Sequence, residues 1–174
     1  MRDALLLAGL LAAATPAAGQ DRPTDVSPLV VYPQAKAAPK VVTSFPKAGQ
    51  AVTAGVLVLA VTFDQPMNPA RFDVTSGPDG ALPPCLKTPR RLNDEKTFVL
   101  LCTTRPNTAY SVAINAGAAG GFANLAGQRA QPAMLAFSTN AERDGPRTVE
   151  AAVKAAGLGA LDLPVQETPD LPQP

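Results

Sequence analysis

The chain contains no histidine and no tryptophan, only two cysteines, and aromatic residues make up just 5% of it. Without histidine it lacks the commonest general base, the commonest transition-metal ligand and every Ser-His or Cys-His nucleophile pair. The carboxylates that could act without it, Asp64, Asp73, Asp79, Asp94 and Glu95, fall in predicted turns or at strand ends. Acidic residues there are usually solvated or bonded to local backbone. The expectation is therefore a protein that is not an enzyme, with no catalytic, cofactor-binding or metal residue assigned and no cofactor. Charge of one sign is missing too. Fifteen basic against fourteen acidic residues leave +1, so no long-range field steers the protein to nucleic acid. No apolar run is long enough for a membrane span: Ala4 to Ala14 would rise only about 16 Å as a helix, against a hydrocarbon core of roughly 30 Å. Gly117-Ala118-Ala119-Gly120-Gly121 precedes a turn-and-strand pattern, not a helix, and is read as a flexible loop instead of a phosphate cradle. The scattered aspartates do not form a calcium loop.

What is abundant is turn chemistry, with 19 prolines and 13 glycines in 174 residues, a composition that disfavours a helix bundle and leaves room for one domain with flanking segments. Met1-Arg2-Asp3, the apolar run and the small residues Ala17, Ala18 and Gly19 have the layout of a secretory signal, so 1–19 is expected to be removed after Gly19. Residues 20–39 carry Pro23, Pro28, Pro33 and Pro39 and read as an extended lead-in, whose Leu29-Val30-Val31-Tyr32 run could add an edge strand. In an oxidising compartment the pair Cys85 and Cys102 is expected to form a disulfide.

From Lys40 to Thr139 the apolar period is two. The expectation is an all-β, immunoglobulin-like sandwich of about seven strands: Lys40–Phe45, Val56–Phe63, Arg71–Thr75, a piece at Cys85–Lys87, Lys96–Cys102, Ala109–Asn115 and Met134–Thr139. In the second of these Leu57, Leu59, Val61 and Phe63 share one face. In Ala109–Asn115, Tyr110, Val112 and Ile114 are expected inside and Ser111, Ala113 and Asn115 outside, which suits one buried face. Pro46-Lys47-Ala48-Gly49, Gly77-Pro78-Asp79-Gly80, Asn93-Asp94 and Pro106-Asn107 supply turns. Beyond Asn140, Val149, Val153 and Ala156 fall at helical spacing with Glu150 four residues before Lys154, predicting a short helix over about 148–156. The proline-rich, acidic remainder from Asp162 is expected to be disordered.

Ser44-Phe45-Pro46-Lys47-Ala48-Gly49, then Thr62-Phe63-Asp64-Gln65-Pro66-Met67, and later Pro106-Asn107-Thr108-Ala109-Tyr110, resemble bacterial Ig-like domains of surface-layer and other envelope proteins. In that family a Ser-x-Pro-x-x-Gly turn precedes a strand ending in Thr-Phe-x-x-Pro-Met. Asn124-Leu125-Ala126-Gly127-Gln128 is similar to its Asp-x-Ala-Gly-Asn turn, with Asn124 for the aspartate and Gln128 for the asparagine. Asn107 stands for a usual glycine. The resemblance implies structural roles for Pro46, Gly49, Phe63, Pro66 and Gly127, and Tyr110 is read as a tyrosine corner. It implies a non-catalytic binding or spacer module, periplasmic or secreted, whose partner is an unidentified envelope protein or polysaccharide and whose oligomeric state stays open. The Ser-x-Pro-x-x-Gly and Phe-x-x-Pro opening is also similar to the periplasmic copper-carrier family, but that family's histidines are absent and Met67 alone cannot build a copper site. Surfaces for recognition are expected first at Gly117–Phe122 and at the helix Thr148–Ala156.

Overall fold

The run VLVLAVTF, eight residues without a breaker, forms the longest strand, β3 (Val56–Phe63). The structure, a computed structural model, describes residues 37–117, 120–142 and 144–158. The predicted signal, the Leu29–Tyr32 run and the tail from Asp162 lie outside the described residues, all of which belong to the compact unit 32–174. Antiparallel to β3 run β1 (Val41–Phe45) and β6 (Thr97–Thr103), and β5 (Arg90–Arg91) closes this first sheet in the order β1-β3-β6-β5. The second sheet has the order β2-β8-β7-β4, built from β2 (Ala51–Val52), β8 (Ala133–Thr139), β7 (Ala109–Ile114) and β4 (Val74–Ser76). The chain is all-β apart from one helix, and the two four-stranded sheets form an Ig-like sandwich.

Between the sheets the alternating residues interdigitate. Leu57, Leu59, Leu100, Tyr110, Val112 and Phe137 fill one half of the core, and Val61, Phe63, Phe98, Ile114 and Phe122 the other. Phe63, Phe98 and Phe122 meet as a trio with ring centroids 4.9–6.1 Å apart, so three of the few aromatics are concentrated in one place. The second face of β3 is buried as well, because helix α1 (Val149–Ala155) lies on it and packs Ala152 and Val153 against Val58, Ala60, Leu92 and Val99. Thr148 caps the helix, its hydroxyl accepting from the Ala151 amide at 3.2 Å. The segment leading into the helix is fixed by the Val56 amide, which donates to Pro146 O at 2.7 Å. At this seam the backbones touch. A Cβ on Gly55 would lie 2.4 Å from Pro146 O, and one on Gly145 would lie 2.2 Å from Ala54 O, so neither position accepts a side chain.

Four expectations change. The predicted strand Arg71–Thr75 begins only at Val74, because Phe72 turns into the core beside Phe63 and Phe122. Cys85–Lys87 makes a single bridge, Cys85 to Cys102, instead of a strand. Two-residue strands, β2 and β5, stand where no strand was expected. The largest correction concerns β7: Ser111, Ala113 and Asn115, expected outside, are all buried. Ser111 is covered by Gly77 and Met134, and Asn115 turns inward through a left-handed φ of 55°.

Candidate functional site

Each turn that the sequence singles out is held by a specific contact. Pro46 follows a cis peptide bond and is buried, Gly49 has φ 75° and donates to Ala136 O at 2.8 Å, and Gly127 has φ 81° and donates to Asn124 O at 3.0 Å. Phe63 lies in the aromatic trio, whereas Pro66 is exposed beside it. The Arg105 amide donates to the Tyr110 hydroxyl at 2.8 Å, the geometry of a tyrosine corner, and the ring stacks on Phe137 at 5.2 Å. Asn107 adopts φ 50°, the left-handed conformation that asparagine tolerates. Met67 is wholly enclosed in the core, its carbonyl accepting from Arg91 at 2.6 Å; its sulfur is a packing group.

The turn at Asn124 keeps its cap despite lacking the carboxylate. The Asn124 side-chain oxygen accepts from the Gln128 amide at 2.8 Å, and its amide nitrogen donates to Gln65 Oε1 at 3.0 Å, a bond that no carboxylate could make. Asp94 caps the turn before β6 with one oxygen on the Lys96 and Thr97 amides and the other on the Thr97 hydroxyl. Burial pushes this carboxyl up, but the bonds from Thr97 and Lys96 and the Lys96 charge outweigh it and hold the group below its ordinary 3.8.

The loop after β7, read as flexible, is tied at its described residues. Asn115 is completely buried: its side-chain oxygen accepts from the Phe122 amide at 2.7 Å and its amide nitrogen donates to Phe122 O and Ala130 O at 2.9 and 3.0 Å. Arg129 donates to the carbonyls of Asn115, Gly117 and Gly120, and Asp73 accepts from the Gly117 amide. Sequence reasoning names neither Asn115 nor Arg129 as an organiser. No local signal marks them, since their partners lie 7 to 15 residues away.

On the side of the sandwich where β4 and β5 end the two sheets, a cleft of about 350 Å³ opens between the sheet edges. Val74, Leu82, Leu100 and Cys85 give it apolar walls, and Asp73 and Lys87 stand with them. Cys85 is there because it is bonded to Cys102 of β6, with Cα atoms 3.9 Å apart, which pins the segment between the two sheets to the first of them. Of the residues singled out from sequence, Cys85 and the carboxylate Asp73 line this cleft. Pro46, Gly49, Pro66, Gly127 and the helix are elsewhere, and α1, proposed from sequence as a docking surface, spends its apolar stripe on its own sheet. Among the described residues no three His, Cys, Asp or Glu side chains are grouped to hold a metal ion, and no helix is long and apolar enough to cross a membrane.

A crystal structure of the S-layer protein rSbsC(31-844) aligns with a TM-score of 0.41 at 19% identity, covering 60% of this chain and 14% of that one, so this chain spans about a seventh of that protein. Curated proteins give no match. The sequence profile described as bacterial Ig-like domain matches residues 35–139, which take in every strand of both sheets. With more than half of its length matched, the chain belongs to the bacterial Ig-like domain family.

Proposed function

We propose that this chain is an exported, non-catalytic module of the bacterial cell envelope that binds or spaces other envelope components. The observation that carries the reading is family membership over residues 35–139. The Cys85–Cys102 bond supports an extracytoplasmic setting, because cytosolic thiols are kept reduced, and the layout of residues 1–19 supports export. A sandwich with tied turns suits either a binder or a spacer, since recognition in such folds comes from loops and edges on a rigid frame.

Expression of the full chain in a bacterial host, followed by fractionation and intact-mass analysis, tests the reading. The expected product begins at Gln20, carries two fewer hydrogens than its dithiol form and appears in the periplasmic or extracellular fraction. It turns over no ester, phosphoester, peptide or glycoside substrate. Retention of Met1 in the cytosol, turnover of any substrate, or stoichiometric copper or zinc after native purification would overturn it; the last would favour a metal carrier.

A further inference from the structure

The hydrogen-bond alternation along β4 aims one row of backbone groups away from its sheet. The Asn115 amide donates to Asp73 O and the Gly77 amide donates to Ser111 O, so the odd-numbered residues of this stretch face β7. Val74 and Ser76 therefore direct their N–H and C=O groups to the opposite edge, where no strand stands among the described residues. Such an edge is a ready template for another extended chain. The Val74 side chain, by contrast, points inward, packing on the core and lining the cleft of about 350 Å³.

These two facts meet at one residue. A chain that pairs opposite Val74 has its side chain on the same face as that of Val74, and that face is the cleft. The cavity lies at the low end of the size range of ligand sites, roughly 300–1,000 Å³, and has room for one large apolar side chain. Two charged residues line it. Asp73 is engaged with the Gly117 amide, whereas Lys87 is exposed and makes no ion pair among the described residues. Lys87 is thus the charged side chain at the cleft that is left without a hydrogen bond or ion pair among the described residues.

We propose that the β4 edge and the cleft together form the recognition site, taking an extended peptide segment. The segment pairs with Val74 and Ser76, inserts one large apolar side chain between Val74 and Leu82, and sets a carboxylate against Lys87. Main-chain pairing supplies affinity and the cavity supplies selectivity. The proposal rests on the reading of the chain as a binding module and names the site through which it binds.

Panning a phage-displayed library of random nonapeptides against the full, disulfide-bonded chain, then titrating the selected peptides by calorimetry and NMR, tests it. Enriched sequences should carry a large apolar residue within three positions of Asp or Glu, and should shift the amides of residues 73–76 and 85–87. Replacing that apolar residue by Ala should weaken binding at least tenfold. Lys87→Glu, a surface change that leaves the core untouched, should cost at least fivefold, and Lys87→Arg should restore most of it. Leu82→Trp, which fills the cleft, should also abolish binding, with its melting temperature measured alongside to show that it folds. Failure to enrich any sequence, or indifference of the selected peptides to Lys87→Glu, would overturn the site. Peptides that shift β1 amides instead would also overturn it while leaving the binding-module reading intact, whereas a cytosolic or catalytic protein in the fractionation experiment would remove that reading itself.

Discussion

At Asn115 a single short side chain satisfies three buried backbone groups, on Phe122 and Ala130, and so joins the end of β7 to the segments that enclose the aromatic trio. Asn115→Ala leaves those groups without partners and puts a Cβ-only residue at φ 55°, so a loss of about 3 kcal/mol is expected in urea unfolding. Tyr110→Phe removes the acceptor of the Arg105 amide while keeping the stack on Phe137, and should cost about 1–2 kcal/mol in the same measurement. Asp94 gives the pH dependence. Its folded pKa lies below the unfolded 3.8, so its contribution is fully present above that value and is lost as pH falls through the folded one. The melting temperature of the native protein should drop below about pH 4 more steeply than that of Asp94→Asn, which starts lower and is flatter there. The period-two alternation of β7 makes Tyr110, Val112 and Ile114 legible as core from sequence. It misreads Asn115, because a polar residue at the end of an alternating strand looks like a solvent-facing one, and only the long-range partners Phe122 and Ala130 reveal otherwise.

Among the elements, α1 shows what spacing can and cannot reveal. Val149, Val153 and Ala156 mark the helix, but its deepest residue is Ala152, and its docking face lies on β3 and β6, strands more than forty residues upstream. An isolated helix of seven residues is marginal in water, so its existence is itself a consequence of that docking. Ala152→Asp buries a carboxylate against Val58 and Val99; it should release the helix and expose the outer face of the first sheet. The expected result is loss of helical protection in hydrogen exchange together with concentration-dependent self-association, while near-ultraviolet signals from the aromatic trio persist. The five strands of five residues or more were legible because their apolar periods are long enough to count. Two-residue β2 and β5 carry no period at all, and β4 is shorter than its apolar flank because Phe72 serves the core instead of the sheet.

For the molecule as a whole, the family resemblance was visible in three turn motifs and one strand ending, and the matched span 35–139 covers them all. The cleft was not visible. It arises from the gap between two sheet edges, and its walls come from residues scattered between Phe72 and Leu100 whose spacing follows no pattern. Whole-molecule stability depends on the disulfide that ties one wall of that gap to the first sheet. Cys85 and Cys102 are separated by 17 residues, a loop for which chain entropy assigns about 3 kcal/mol. The Cys85→Ser/Cys102→Ser double variant should be destabilised by about that amount in urea unfolding.

The seam at Gly55 and Gly145 determines how the module answers a pull. Its C-terminal strap and helix lie flat on the outer face of the first sheet, held by apolar contact and by the Val56–Pro146 bond, so tension on the tail peels them off one contact at a time. The strands of the sandwich, by contrast, are stitched by ladders of hydrogen bonds that must yield together. Residues 141–158, once peeled, have a contour length of about 60 Å at full extension. In a single-molecule stretching trace this gives a low-force step shorter than that by the distance the docked strap already spans, followed by a taut plateau before β8 is torn from β7. A domain anchored at both ends thus carries a built-in shock absorber, and a side chain at Gly55 or Gly145, by wedging the seam apart, would leave it permanently paid out.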